Sequence, residues 1–198
     1  MTWENAGVSS SLEHAPLVPG TLLVAAVDVR DGIFDNTVVL LLDVDDTGAL
    51  GVVLNRESDL SLASVLPPWA GLVSAPRALF AGGPVSPEGA ICLASPTGVD
   101  EDPPGWRRLF SAIGLLHLDT PVEIAEGAYT DLRIFAGYAG WSPGQLANEV
   151  QLGMWYPVPV RYADVFDPQP DTLWRRVLRR QGGDLAALAT WTKHPEQN

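Results

Sequence analysis

Cysteine is almost missing from this chain: Cys92 is the only one in 198 residues. A single thiol can form neither an intrachain disulfide framework nor a thiolate metal cluster, so a reducing cytoplasm is the expected setting and Cys92 reads as a small buried hydrophobe. Histidine is nearly as scarce. His14 and His194 fall toward the two ends and His117 sits in an apolar, strand-like run, so no metal-ligand spacing exists and no metal site is expected. Positive charge is thin as well. Lysine and arginine total 12 against 24 acids, a formal net charge of −12. Residues 1–100 carry 12 acids against 3 arginines, and residues 101–198 carry 12 acids against 9 bases. A polyanion finds little basic footprint here, which counts against DNA binding. Long apolar runs are also missing. The longest uncharged stretch, residues 60–76, is interrupted by Pro67, Pro68 and Pro76, so no spanning helix and no membrane role are expected. The amino terminus has neither a basic region nor an unbroken apolar core, and its Ser9-Ser10-Ser11 run leads into Glu13, unlike a signal peptide.

What is present is enough for a core. Hydrophobic residues make up 46% of the chain, with seven tryptophans. A chain of this length buries about 70% of its extended surface on folding, so no staple is needed. No Ser/Gly/Pro-rich linker divides the sequence. The expectation is one domain over residues 16–190 with flexible tails at 1–15 and 191–198.

Short apolar runs at residues 22–27, 37–42 and 49–54 are separated by the Asp31-Gly32 signal and the Asp45-Asp46-Thr47-Gly48 turn, which predicts an antiparallel meander. Asp59 or Ser61 is placed to cap a short helix ended by Pro67-Pro68. Strands at 77–81 and 90–94 flank Gly82-Gly83-Pro84, where the backbone geometry should be unusual. Residues 96–105 read as an exposed loop, followed by strand-like runs between 109 and 118, a helix over 121–126 and a strong strand over 132–138. Ser142-Pro143-Gly144-Gln145 combines a serine cap, proline at the first helical position and glutamine at the capping-box position, predicting a helix over 143–152. Residues 155–160 alternate with prolines and read as an edge strand. Asp171 is expected to cap an arginine-rich helix ending at Gly182-Gly183, and Asp184 a last short helix.

Three blocks then stand out together: GIFDNTVVLL and GALGVVLNR within residues 23–56, FAGGPV at 80–85, and GYAGWSPGQLANEV at 137–150. In order and spacing, across nearly the whole chain, they resemble the YqgE/AlgH family. The resemblance implies an α/β (α+β) domain in which a mostly antiparallel sheet curls into a flattened pseudo-barrel with flanking helices. It implies no established molecular function, members being described as transcriptional regulators through an association with alginate production. Where many relatives carry Glu-His after the second strand, this chain has Asp43-Val44.

No catalytic constellation is legible. There is no Gly-x-Ser-x-Gly elbow, and Cys92 has no activating neighbour in the sequence. Gly82 and Gly83 lack the Lys-Ser/Thr of a phosphate loop and the spacing of a dinucleotide fingerprint, so they read first as a structural turn and no cofactor is expected. The candidate ligand or partner surface is built on residues 137–149. Gln145 and Glu149 share a helix face, Tyr138 and Trp141 precede the helix start, and Asn55 and Arg56 end a strand that points toward the same cleft. The competing reading makes the two aromatics core, Gln145 part of the cap and Asn55 a turn residue. Arg175, Arg176, Arg179 and Arg180 form a basic helix face, suited either to an anionic partner such as RNA or an acidic protein, or to the helix dipole and nearby acids. The leading function is therefore a non-enzymatic regulatory or interaction protein with a protein or small-molecule partner. The alternatives are a DNA-binding regulator, and a small-ligand binder or enzyme using the 137–149 surface.

Overall fold

The computed structural model describes residues 15–27, 32–98 and 102–190. The expected tails at 1–15 (but for Ala15) and 191–198, with His14 and His194, and the Asp31 half of the first turn signal lie outside the described residues.

The meander is present as β1 (Thr21–Ala25), β2 (Val38–Asp45) and β3 (Gly48–Val53), each antiparallel to the next. After a short helix α1 (Leu62–Val65) and a 3-10 turn over Pro67–Trp69 come β4 (Leu79–Ala81), β5 (Val85–Pro96), and the hairpin β6 (Trp106–Phe110) and β7 (Ile113–Leu116). Then follow α2 (Val122–Ala125), β8 (Tyr129–Trp141), α3 (Gln145–Gln151), β9 (Trp155–Pro159) and α4 (Tyr162–Val165). A 3-10 turn over Pro170–Thr172, α5 (Leu173–Arg179) and α6 (Gly183–Leu188) close the chain. The strands run in the order β6-β7-β5-β8-β3-β2-β1-β9, with β4 also against β8. All pairings are antiparallel except β4 with β8. The sheet curls into a half-barrel with a few helices outside.

The long strand β8 explains the curl. Along residues 129–138 it pairs with β5, while its other edge takes β4 and then, at Ala139–Trp141, β3. One strand thus belongs to two sheets. Their common inner face holds the main core, including Leu22, Leu40, Phe80, Leu93 and Phe135, closed by Val165, Trp174 and Val177 from α4 and α5. The outer faces are covered too. Leu23, Val39, Leu41 and Trp155 pack beneath Leu146 of α3, and Cys92, Leu132 and Ile134 pack against Leu62 and Ala125 of α1 and α2. Strands buried on both faces need apolar residues at every position, which is why β1 and β2 read as continuous runs and not as alternation. Each fully buried Leu or Phe contributes about 1.5–3 kcal/mol. Both sheet edges are blunted: β9 carries Pro157 and Pro159, and the other edge strand β6 carries the exposed Arg107 and Arg108.

Several local expectations change. The helix predicted over 143–152 is Gln145–Gln151, with Gly144 at its cap in the left-handed region (φ 75°) and no side-chain cap. Ser142 does not cap with its hydroxyl; its backbone N–H instead donates to Gln145 Oε1 at 3.0 Å, half of a capping box. Asp171 and Asp184 are not caps either. Asp171 lies in the 3-10 turn before α5, and Asp184 sits inside the first turn of α6, which starts at Gly183 after Gly182. Ser61 occupies the cap position of α1 without a side-chain hydrogen bond. The turn expected at residues 45–48 shrinks to Asp46 and Thr47, because β2 runs on through Asp45 past a bulge between Leu41 and Asp43. The strand-like run at 109–118 is a hairpin that begins earlier, at Trp106.

Candidate functional site

Glu149 organises the block singled out in the sequence. One of its carboxylate oxygens, Oε2, accepts the indole N–H of both Trp141 and Trp155 at 2.8 Å, while Oε1 accepts from Gln145 Nε2 at 2.9 Å. The two tryptophans meet edge to face with ring centroids 6.0 Å apart, and Phe34 meets Trp155 in the same manner at 5.4 Å. Trp141 and Trp155 are 7% and 2% exposed. A carboxylate receiving two indole donors is a strong anchor, because charge-assisted bonds exceed neutral ones. Trp141, Gln145 and Glu149 therefore lock α3 and β9 onto the sheet. The spacing in sequence placed Gln145 and Glu149 on one face; nothing in it marked Trp155 as the third member.

Tyr138 faces the other way, against the edge of the main core. Beyond it the inner face of the sheet runs out into an open groove of about 500 Å³, lined by Asp43, Asp45, Leu50, Val85, Tyr138 and Gly140 among others. The bulge in β2 positions the acids. It brings Asp43 opposite Leu50 and Asp45 opposite Gly48, so both carboxylates stand on the face of Leu50. Gly48 and Gly140 leave the floor bare backbone. Gly48 has no alternative residue, since its φ is 140° and a Cβ would strike the Trp141 carbonyl. Asp45 is tied by the Thr47 backbone N–H at 2.7 Å and hydroxyl at 2.6 Å, and these bonds hold its carboxyl below the usual range. Val85 is 37% exposed on the opposite wall. Of the Asp43-Val44 pair that departs from many relatives, Asp43 lines this groove while Val44 packs on the opposite face beside Ala49.

The other sequence candidates lie elsewhere. Gly82 and Gly83 are where the chain leaves β4, crosses the backbone of β8 and starts β5 on its far edge. A Cβ at Gly83 would overlap the Tyr138 carbonyl, and one at Gly82 the Gly137 carbonyl. Glycine is required there by close approach of two backbones. Asn55 and Arg56 hold the loop before β2. Asn55 Oδ1 accepts from Val38 N at 2.8 Å, its Nδ2 donates to Asn36 O at 2.9 Å, and Arg56 donates to the carbonyls of Ile33 and Asp35. Neither lines the groove. On α5 and at its C-cap, Arg176 pairs with Asp167 and Arg180 with Asp164 at 2.5 Å, while Arg175 and Arg179 are exposed.

Arg133, a residue not singled out in the sequence, is 1% exposed. Its guanidinium donates to the carbonyls of Val165, Ala75 and Asp167 at 2.8–3.0 Å and lies 4.4 Å from the centre of the Phe80 ring. Burial lowers it to about 10. It ties β8 to the segment around α4. The only signal was an arginine inside an apolar strand run. Nearby, Asp131 accepts from Ser74 Oγ at 2.8 Å and Tyr162 OH at 2.6 Å.

A family model described as AlgH-like matches residues 22–186. The chain is 47% identical over 192 residues to a Streptomyces avermitilis relative named UPF0301 protein, covering 96% of this chain and 100% of that one. A UPF0301 protein of Thermobifida fusca is 44% identical, with 90% and 94% covered. Among solved structures, a crystal structure from Corynebacterium diphtheriae matches with a TM-score of 0.85 at 31% identity, covering 91% of this chain and 95% of that one. The solution structure of the AlgH protein from Pseudomonas aeruginosa matches with a TM-score of 0.66 at 26% identity, covering 91% and 97%.

Proposed function

The chain belongs to the AlgH-like family, and from that membership and the open groove beside Tyr138 we propose that it is a non-enzymatic regulatory protein that acts by docking a partner. The observation that carries this is the composition of the groove. Val85, Leu50 and Tyr138 leave apolar surface uncovered at the mouth of the half-barrel, next to the carboxylates of Asp43 and Asp45. Chemistry is poorly supplied around it. Cys92 is 2% exposed, its thiol is raised by burial, and it lies on the face away from the main core. Among the described residues no group of three or more His, Cys, Asp and Glu side chains is arranged to hold a metal ion, and no helix is long and apolar enough to cross a membrane.

Gly140 gives the test. A Cβ there meets the Tyr138 ring at 3.5 Å and Val85 Cγ2 at 3.8 Å, ordinary contact distances, so Gly140→Val sets its branched side chain onto the groove floor with no clash at its Cβ. Partners recovered by the wild-type chain in affinity capture should be lost with Gly140→Val while its thermal unfolding is unchanged. Identical partners for both proteins would remove the groove from the function. Trp141→Ala is the poorer probe, because it opens the aromatic core under α3.

A further inference from the structure

The charge of the groove and the shape of its walls define what fits it. Its titratable side chains are Asp43, Asp45 and Tyr138, with no lysine, arginine or histidine in the lining. The apolar surface of Leu50, Tyr138 and Val85 runs up to those carboxylates. An arginine or lysine side chain has the matching construction: an aliphatic stem that packs on apolar and aromatic surface and a cationic head that remains at the polar rim. We infer that the groove docks an extended, basic segment of a partner protein, with arginine or lysine heads against Asp43 and Asp45 and apolar side chains against Leu50, Tyr138 and Val85. This rests on the docking reading above and names the chemistry of its partner.

Three observations favour a peptide chain. The groove is open along its length, whereas a site for a small amine encloses most of its ligand. Its floor at the exposed Gly140 is bare backbone, which admits another main chain at close range. Nucleic acid is disfavoured by the same carboxylates and by the net charge of −12.

The test uses a short fluorescein-labelled peptide alternating arginine with leucine, a counterpart alternating glutamate with leucine, and free argininamide. Each is titrated into the full chain by fluorescence anisotropy or by amide NMR. The arginine peptide is expected to saturate, with amide shifts confined to residues 43–50, 85 and 138–142. Asp43→Asn, alone and with Asp45→Asn, should weaken it by roughly fivefold to tenfold for two exposed charge pairs. The Asn side chain keeps an oxygen for the Thr47 N–H, so the turn is preserved. Gly140→Val should abolish saturable binding. No binding of the arginine peptide, equal binding of the glutamate peptide, or binding unchanged in both groove variants overturns the proposal, the last outcome marking diffuse attraction to an acidic surface. Argininamide binding as tightly as the peptide also overturns it, in favour of a small-amine site. If affinity capture still separates the wild type from Gly140→Val while the arginine peptide fails, docking stands and the basic partner falls. If both fail, so does the docking reading.

Discussion

At the scale of single residues, the hydrogen bonds of Glu149 and Tyr162 have measurable consequences. Glu149→Ala leaves the indole N–H groups of Trp141 and Trp155 without their shared acceptor in a largely buried setting. Each stranded donor costs about 1–3 kcal/mol, so a loss of about 2–4 kcal/mol is expected in urea unfolding. Glu149→Gln keeps one carbonyl oxygen and should lose less, and tryptophan emission should shift to the red in the alanine variant first. Tyr162 supplies a pH dependence. Burial comes first and the bond to Asp131 second in pushing its phenol up to about 12; burial does the same to Tyr129, whose OH has no hydrogen-bond partner among the described residues. Because the folded values lie above the ordinary 10, this contribution is intact below pH about 10 and is lost as pH rises from there through about 12. An ultraviolet titration should therefore show a late phase from Tyr129 and Tyr162, and Tyr162→Phe should shrink it. A wild-type titration with no late phase would contradict the network.

At the scale of elements, the crossing of β4 over β8 is the most demanding local geometry, and it separates two kinds of glycine. Gly83→Ala sets a Cβ into the Tyr138 carbonyl, where only backbone can yield, so more than about 3 kcal/mol should be lost and soluble expression should fall. Gly144 also has positive φ, 75°, but nothing lies within 4 Å of its Cβ. Gly144→Ala should thus cost only the left-handed strain of about 1–2 kcal/mol. Equal unfolding midpoints for the two variants would show that close approach is not what fixes Gly83. These elements also mark how far the sequence could be read. The meander, the strand at 132–138 and the edge strand at 155–160 were legible because apolar runs and prolines act locally. Unusual backbone at Gly82-Gly83 was legible for the same reason. That β4 pairs parallel with β8 was not, since pairing partners depend on contacts about 55 residues apart in the register of Leu79 with Ile134. Helix starts were misplaced at Asp171 and Asp184, where caps recognised by residue type were overridden by a 3-10 turn and a glycine pair. In the candidate block, aromatic and glycine spacing pointed to residues 137–149 but could not tell Tyr138, half-buried at the groove, from Trp141, which borders the groove but whose indole is buried and held by Glu149. The carboxylates of Asp43 and Asp45 were invisible as a site, because only the bulge in β2 turns them onto that face.

At the scale of the whole molecule, charge bears on which class of partner the proposed docking would take. Among the described residues the basic cluster is on α5 and its C-cap, and half of it is paired with the fold's own acids: Arg176 with Asp167, and Arg180 with Asp164 while its other amine donates to Pro159 O at 2.8 Å. Arg175 and Arg179 remain exposed on a helix of seven residues, with a net charge of −12 around them. Specific DNA binding draws much of its affinity from several neutralised phosphates and weakens steeply with salt. Two exposed guanidiniums can offset only a small part of the repulsion, so duplex DNA should give no mobility shift at physiological salt. A shift that persists there and disappears in Arg175→Glu, Arg179→Glu would place the nucleic acid on α5 and make regulation direct. Its absence, together with partner loss in Gly140→Val, leaves the acidic mouth of the half-barrel as the working surface, because a protein that repels phosphate can still hold a basic chain.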